Sequence, residues 1–223
     1  MLTERIGDAF TRPVERLVRR RLPGLDDGPL FGHAPLHGAA ASPRAPPADG
    51  LGPRAREGRT VIFDERADAL RLRLLKPWSF KAYLWRKLPL AACAGLSLRQ
   101  LDESGCTVGL PGGWRTQNPF RSTYFAAQAM AAEMSTGAPA LILVQAAPAS
   151  IAMILRGIDA VFTKRIQGPS LFTFDDLAGM QAAIARAAAS GESESYTGRS
   201  VGRGPDGAPA AEFRVSWSFK RRS

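Results

Sequence analysis

NPFRSTYFAAQAMAAEMSTG, residues 118–137, is the part of the chain from which the rest can be placed. From Ser122 to Ser135 it is almost wholly apolar. Five alanines, Ala126, Ala127, Ala129, Ala131 and Ala132, are mixed with Tyr124, Phe125, Met130 and Met134. A good helix former with apolar residues on nearly every side predicts a helix buried all round. Asn118 stands before Pro119 and is pushed towards an extended conformation, Ser122 can cap the first turn, and Gly137 with Pro139 can close the last. About fourteen residues give roughly 21 Å of helix, close to the width of a five-strand sheet. The expected architecture is therefore α+β, with a long central helix wrapped by a curved antiparallel sheet.

The neighbouring segments supply that sheet. Leu96 to Leu101 and Cys106 to Leu110 alternate apolar with small or polar residues across a turn at Asp102–Gly105, which predicts a hairpin. Ser195 to Val201 and Ala211 to Lys220 flank Pro205-Asp206-Gly207 and predict a second. In its last strand Phe213, Val215, Trp217 and Phe219 alternate with Arg214, Ser216, Ser218 and Lys220, one face in and one out. A strand pair is expected around Ile151–Leu155 and Ile158–Phe162. A helix is expected over 78–88 after Pro77, and another over 174–189, with Thr173 as the capping hydroxyl. Residues 61–74 read equally as a short strand or a helical turn.

Length bounds what lies outside this domain. The 223 residues suffice for one domain over 76–223 plus an extension over 1–75. Within the extension, Ile6, Phe10, Val14, Leu17 and Val18 recur at helical spacing among arginines, as in a basic amphipathic helix. Membrane contact through residues 1–22 or a copy of an organelle-targeting peptide is one reading of it, and a loosely docked or frayed surface helix is the expected one. Residues 23–60 are crowded with Pro, Gly, Ala and Arg and cannot bury a core. Both histidines, His33 and His37, fall there, which argues against His-based triads and most zinc sites in the domain. No metal and no cofactor is expected. The N-terminus lacks the apolar core of a signal peptide and no run can span a bilayer, so a cytoplasmic location is the default. Cys93 and Cys106 read as free, buried thiols. The formal charge of +10 favours anionic partners. Because aromatic residues are not interleaved with the arginines of the extension, nucleic acid is not among those expected.

The order of hairpin, central helix and further strands is that of the hotdog fold. Residues 118–137, with LPGGWRTQ (110–117) before them, resemble an uncharacterised branch of that superfamily, the domain-of-unknown-function 4442 family, related to PaaI-type acyl-CoA thioesterases. The resemblance extends over KPWSFKAYLWRKLPLAACAGLSL (76–98) and the closing SWSFK. Characterised relatives carry an Asn, a His-Gly pair six and seven residues on, and an acid fifteen residues on. Asn118 and Glu133 match the first and last (133 − 118 = 15), whereas Tyr124 and Phe125 stand where the His and Gly would be. The resemblance implies a homodimer that binds acyl-CoA or another acyl thioester. In it a backbone N–H at the helix N-terminus polarises the carbonyl, and the acid comes from the other subunit.

The residues themselves allow that chemistry without compelling it. Glu133 is the one acid in the helix, near its C-terminal end, where the macrodipole disfavours a negative charge. A buried carboxylate there has a raised pKa, a partner or a task; alternatively it emerges at the sheet edge. Asn118 can orient a carbonyl or water, although Asn before Pro is also ordinary loop chemistry. Ser122 reads as a cap because no base stands beside it. Tyr124, Phe125, Gln128 and Arg121 complete the set expected around the substrate, with Arg115, Lys164 and Arg165 available to phosphates. Two functions follow: an acyl-CoA thioesterase-like hydrolase using Glu133 and Asn118, or a non-catalytic hotdog module holding an acyl chain or a protein partner.

Overall fold

Six strands and five helices make up the described part of the protein, which in this computed structural model comprises residues 62–222. The amphipathic segment 1–22, the Pro/Gly/Arg-rich segment up to residue 60 and both histidines lie outside the described residues. In chain order the elements are α1 (Glu65–Leu75), α2 (Pro77–Lys87), α3 (Pro89–Ala94), β1 (Ser97–Asp102), β2 (Gly105–Leu110) and α4 (Phe125–Ala146). They continue with β3 (Ile151–Phe162), β4 (Ser170–Phe174), α5 (Leu177–Ser190), β5 (Glu194–Arg203) and β6 (Pro209–Arg221). The strands form one antiparallel sheet in the order β1-β2-β4-β5-β6-β3.

The central helix is longer than the sequence suggests. It starts at Phe125 and continues to Ala146, straight through Gly137 and Pro139. Proline inside a helix removes one backbone hydrogen bond and crowds the preceding turn. Here Ala138, Pro139, Ala140, Ile142 and Leu143 are all buried, and that burial outweighs the local cost. The hydroxyls of Ser135 and Thr136 donate back to the carbonyls of Ala132 (2.8 Å) and Glu133 (3.0 Å), a pattern that bends helices. The apolar run Ala140–Val144 is therefore the helix's own second half. Ser122 is not its cap. The N-cap is Tyr124, whose side chain makes no capping bond.

Helix α4 lies over β2, β4 and β5, and α5 packs beside it against β5 and β6. Close approach is possible because small residues meet. A Cβ on Gly198 of β5 would come within 3.1 Å of Thr136 Cγ2. Ser135 and Ser200 share a hydrogen bond at 2.8 Å, and the indole N–H of Trp217 donates to Thr136 Oγ1 at 3.0 Å. The inward residues of β4 and β6, among them Phe172, Phe174, Phe213, Val215 and Phe219, fill the space below with exposures of 1% or less.

The hairpins at 97–110 and 194–221 fall where alternation puts them. The expected pair at 151–162 is one twelve-residue strand, with a bulge between Leu155 and Gly157 in place of a turn. Thr173 and Phe174 belong to β4, a strand that alternation does not reveal. The α5 cap falls instead to Asp176, which accepts from the Gly179 N–H at 3.0 Å. The ambiguous stretch before residue 76 contains α1, so the last residues assigned to the extension lie on the folded unit. Arg71, held by Asp68 of the same helix (2.7 Å), ties α1 to β1 by donating to the Leu101 carbonyl (2.8 Å), and Phe63 and Ala67 join the core.

Candidate functional site

At the start of α4 the chain turns through a loop that Asn118 organises. Its side-chain oxygen accepts from Phe120 N (3.0 Å), Ser122 N (3.2 Å) and Ser122 Oγ (3.1 Å). Asn118 N donates to the Ser122 carbonyl and Arg121 N to the Asn118 carbonyl, with Arg121 at φ +58°, a conformation non-glycine residues seldom adopt. The carboxamide oxygen is thus fully committed, and only its NH2 group remains to face a ligand. Thr123 N and Tyr124 N donate to the carbonyls of Ile166 and Thr116, which clamps the loop on either side.

The first turn of the helix is left open. The Tyr124 carbonyl accepts from the amides of Ala127 (3.0 Å) and Gln128 (3.1 Å), and no side chain caps the end. The N–H groups of Phe125 and Ala126 have no acceptor among the described residues. Gln128 is buried and turned from the opening. Its Nε2 donates to the Thr123 carbonyl at 3.0 Å, and its Oε1 is buried without a partner. Tyr124 and Phe125 are both exposed, with their rings edge-to-face at 4.8 Å.

Beside this turn runs a groove of about 570 Å³, lined by Tyr124, Ala126, Ala127 and Met130 of α4, by Trp85 of α2, by Leu90 and Cys93 of α3, and by Trp114 and Arg115 of the loop. Phe125 and Arg121 are not on its wall. Cys93, expected to be buried, is exposed here; Cys106 is buried in β2, and burial pushes its thiol well above the ordinary range. Another groove, about 470 Å³, lies at the far end of α4. Its one titratable group is Asp64, which is spent capping α1 (Ala67 N to Oδ1, 2.8 Å). The chemistry therefore points to the first groove.

Glu133 lies one turn past Met130. It is half-buried, and burial pushes its carboxyl above the usual carboxylate range. No cation pairs with it among the described residues. Close approach is again provided by a glycine: a Cβ on Gly137 would sit 3.0 Å from Glu133 Oε1 and 3.2 Å from the Trp217 ring. Burial first, and then the charge of Glu133, push the phenol of Tyr83 in α2 above its usual range. Glu133 does not line the groove. Nine residues separate it from Tyr124, about 13–14 Å along the axis and roughly half a turn round it, so one helix cannot bring both to one carbonyl.

Residues 76–175 match the family model described as Domain of unknown function (DUF4442). Over those residues the chain is similar to that family. The architecture is that of the hotdog fold, and solved structures align over most of their length. A Pseudomonas aeruginosa protein of unknown function, described as a probable thioesterase, is 17% identical with a TM-score of 0.55, over 67% of this chain and 99% of that one. A protein of unknown function from Chlorobaculum tepidum is 12% identical at a TM-score of 0.56, over 66% and 98%. A Haemophilus influenzae thioesterase is 12% identical at 0.50, over 66% and 91%. At such identities the likeness is one of fold. No curated protein matches the chain. Among the described residues, no helix is long and apolar enough to cross a membrane.

Proposed function

We propose that the protein is a homodimeric hydrolase of acyl-CoA or another acyl thioester, acting in the cytoplasm. The observation that carries this reading is Glu133, a half-buried carboxyl with a raised pKa and no cation to neutralise it among the described residues. The uncapped N-terminus of α4 beside an apolar groove supports it. So do the solved relatives, two of which bear the description thioesterase.

In this mechanism the acyl chain occupies the groove and the carbonyl oxygen accepts from the Phe125 and Ala126 amides, where developing negative charge is stabilised. Glu133 of the second subunit removes a proton from water as its oxygen adds to the carbonyl carbon. The C–S bond then breaks, the thiolate takes the proton back from Glu133, and a thiol and a carboxylic acid leave. Asn118 acts as a positioning residue, since its oxygen holds the loop. Ser122, Gln128 and Arg121 help to shape and stabilise that loop and turn, while Tyr124 lines the groove.

The dimer is supported by β3. This edge strand exposes Ile154, Leu155, Ile158, Val161 and Phe162 along an unpaired backbone edge, and such strands are normally paired or covered. Thiol release across a series of acyl-CoA chain lengths tests the reading. Glu133→Gln is expected to lower kcat by about 10²–10⁴-fold, and unchanged turnover would remove the mechanism. The alternative, a non-catalytic module, draws on Phe125, a large ring where relatives carry glycine. Saturable acyl-CoA binding with no thiol release in the unaltered protein would establish it.

A further inference from the structure

The exposed face of α2 does not have the composition of a solvated one. Trp78, Lys81, Ala82 and Trp85 share a stripe, because seven residues make nearly two turns, while Ser79, Phe80 and Leu84 face inward and are buried. Trp78 is 72% exposed, Trp85 54% and, at the start of α3, Leu90 71%. Trp114, 82% exposed, shares a groove wall with Trp85 and Leu90. Clustered indole and leucine surface of this kind marks a binding face.

The charge around it has one sign. Between Asp68 and Asp102 the chain has no acid and seven cations: Arg71, Arg73, Lys76, Lys81, Arg86, Lys87 and Arg99. Arg71 is engaged by Asp68. Lys76, Lys81, Arg86 and Lys87, which flank the tryptophans, have no acidic partner among the described residues. Tryptophans with lysine and arginine between them suit the headgroup level of an anionic bilayer, where the indole ring is half in hydrocarbon and the cations meet phosphate. A second copy of this face would bring like charges together. The eleven residues of α2 span only about 16 Å, so the helix would lie on the surface instead of crossing it.

We propose that the α2–α3 face docks on anionic phospholipid membranes, seating Trp78, Trp85 and Trp114 at the headgroup level and opening the groove towards the lipid. The proposal does not depend on hydrolysis. It is tested with the full chain and vesicles of phosphatidylcholine with and without phosphatidylglycerol, read by co-sedimentation and by quenching of tryptophan with brominated acyl chains. Quenching identifies the face: three of the four tryptophans are here, Trp217 is in the core, and residues 1–61 contain none.

The expected result is sedimentation with the anionic vesicles, quenching by brominated lipid, and weak binding to phosphatidylcholine alone. Trp78→Ser with Trp85→Ser is expected to weaken binding more than about tenfold. Lys81→Glu with Lys87→Glu should weaken it by about fivefold or more for each charge lost. No binding overturns the proposal. Binding without quenching, unaffected by either pair, also overturns it and assigns membrane contact to another part of the chain. So does a tryptophan pair that alters self-association or uptake of an acidic protein and leaves vesicle binding unchanged.

Discussion

Glu133 has to be read through its surroundings, because the same carboxyl would be unremarkable on an open surface. Burial favours its neutral form, so the folded protein holds this proton more tightly than the unfolded chain. Its contribution to stability is then fully present at acid pH and is lost as pH rises through the folded-state pKa, the reverse of a salt-bridged acid. Glu133→Gln removes that loss. Relative to the unaltered protein, the variant should melt higher at pH 8 and at the same temperature below about pH 4, the range of a free carboxyl. An unchanged difference across that range would show that Glu133 is solvated. The two thiols give a second residue-scale outcome. Cys93, exposed in the groove wall, should consume about one equivalent of a thiol reagent in the native protein, while buried Cys106 reacts only after denaturation. A bulky adduct on Cys93 is then expected to block acyl-thioester turnover.

At the scale of elements, the central helix tests how far a strong local signal can be overridden. Pro139 sits well inside α4 and cannot donate to the Ser135 carbonyl. Pro139→Ala restores that donor, and the loss of proline's restriction of the unfolded chain offsets part of the gain. The net expectation is about 1–2 kcal/mol of added stability in urea unfolding. Loss of stability instead would mean that the buried proline ring is needed for the fit to the sheet. The same helix shows how much of the fold is legible in the residues alone. Its alanine-rich first half is, because burial on every side depends only on local composition. Its end is not, because Gly137 and Pro139 are stop signals that tertiary burial overrules. Alternation places both hairpins, whereas β4 is hidden by Thr173, a plausible cap whose place Asp176 takes. Within the site, Glu133 stands out as a lone acid in an apolar helix. The role of Asn118 as a loop fastener does not, since its three donors are assembled by the fold, and the groove walls come from four separated segments.

For the whole molecule the decisive question is whether one active site draws on two chains. The open amides of Phe125 and Ala126 and the carboxyl of Glu133 belong to the same helix but not to the same place on it. In a twofold dimer each site would take amides from one subunit and the acid from the other. Phe125→Pro offers a way to remove an amide without breaking the helix, because proline suits the first helical position and Tyr124 already has the extended backbone, ψ 135°, that precedes one. Alone, Phe125→Pro and Glu133→Gln should each be nearly inactive. Unfolded and refolded together in equal amounts, they should form about one half mixed dimers by random pairing, each with one complete site and one doubly impaired site, restoring about a quarter of the unaltered activity. Recovery should fail when both substitutions are placed on one chain and mixed with Glu133→Gln, since every acid is then gone. If the two single variants do not complement while each still dimerises, the acid and the amides serve within one chain or serve no common site, and the shared-site mechanism is wrong. A companion substitution on β3, Ile154→Lys with Ile158→Lys, should yield folded monomers that are inactive for the same reason.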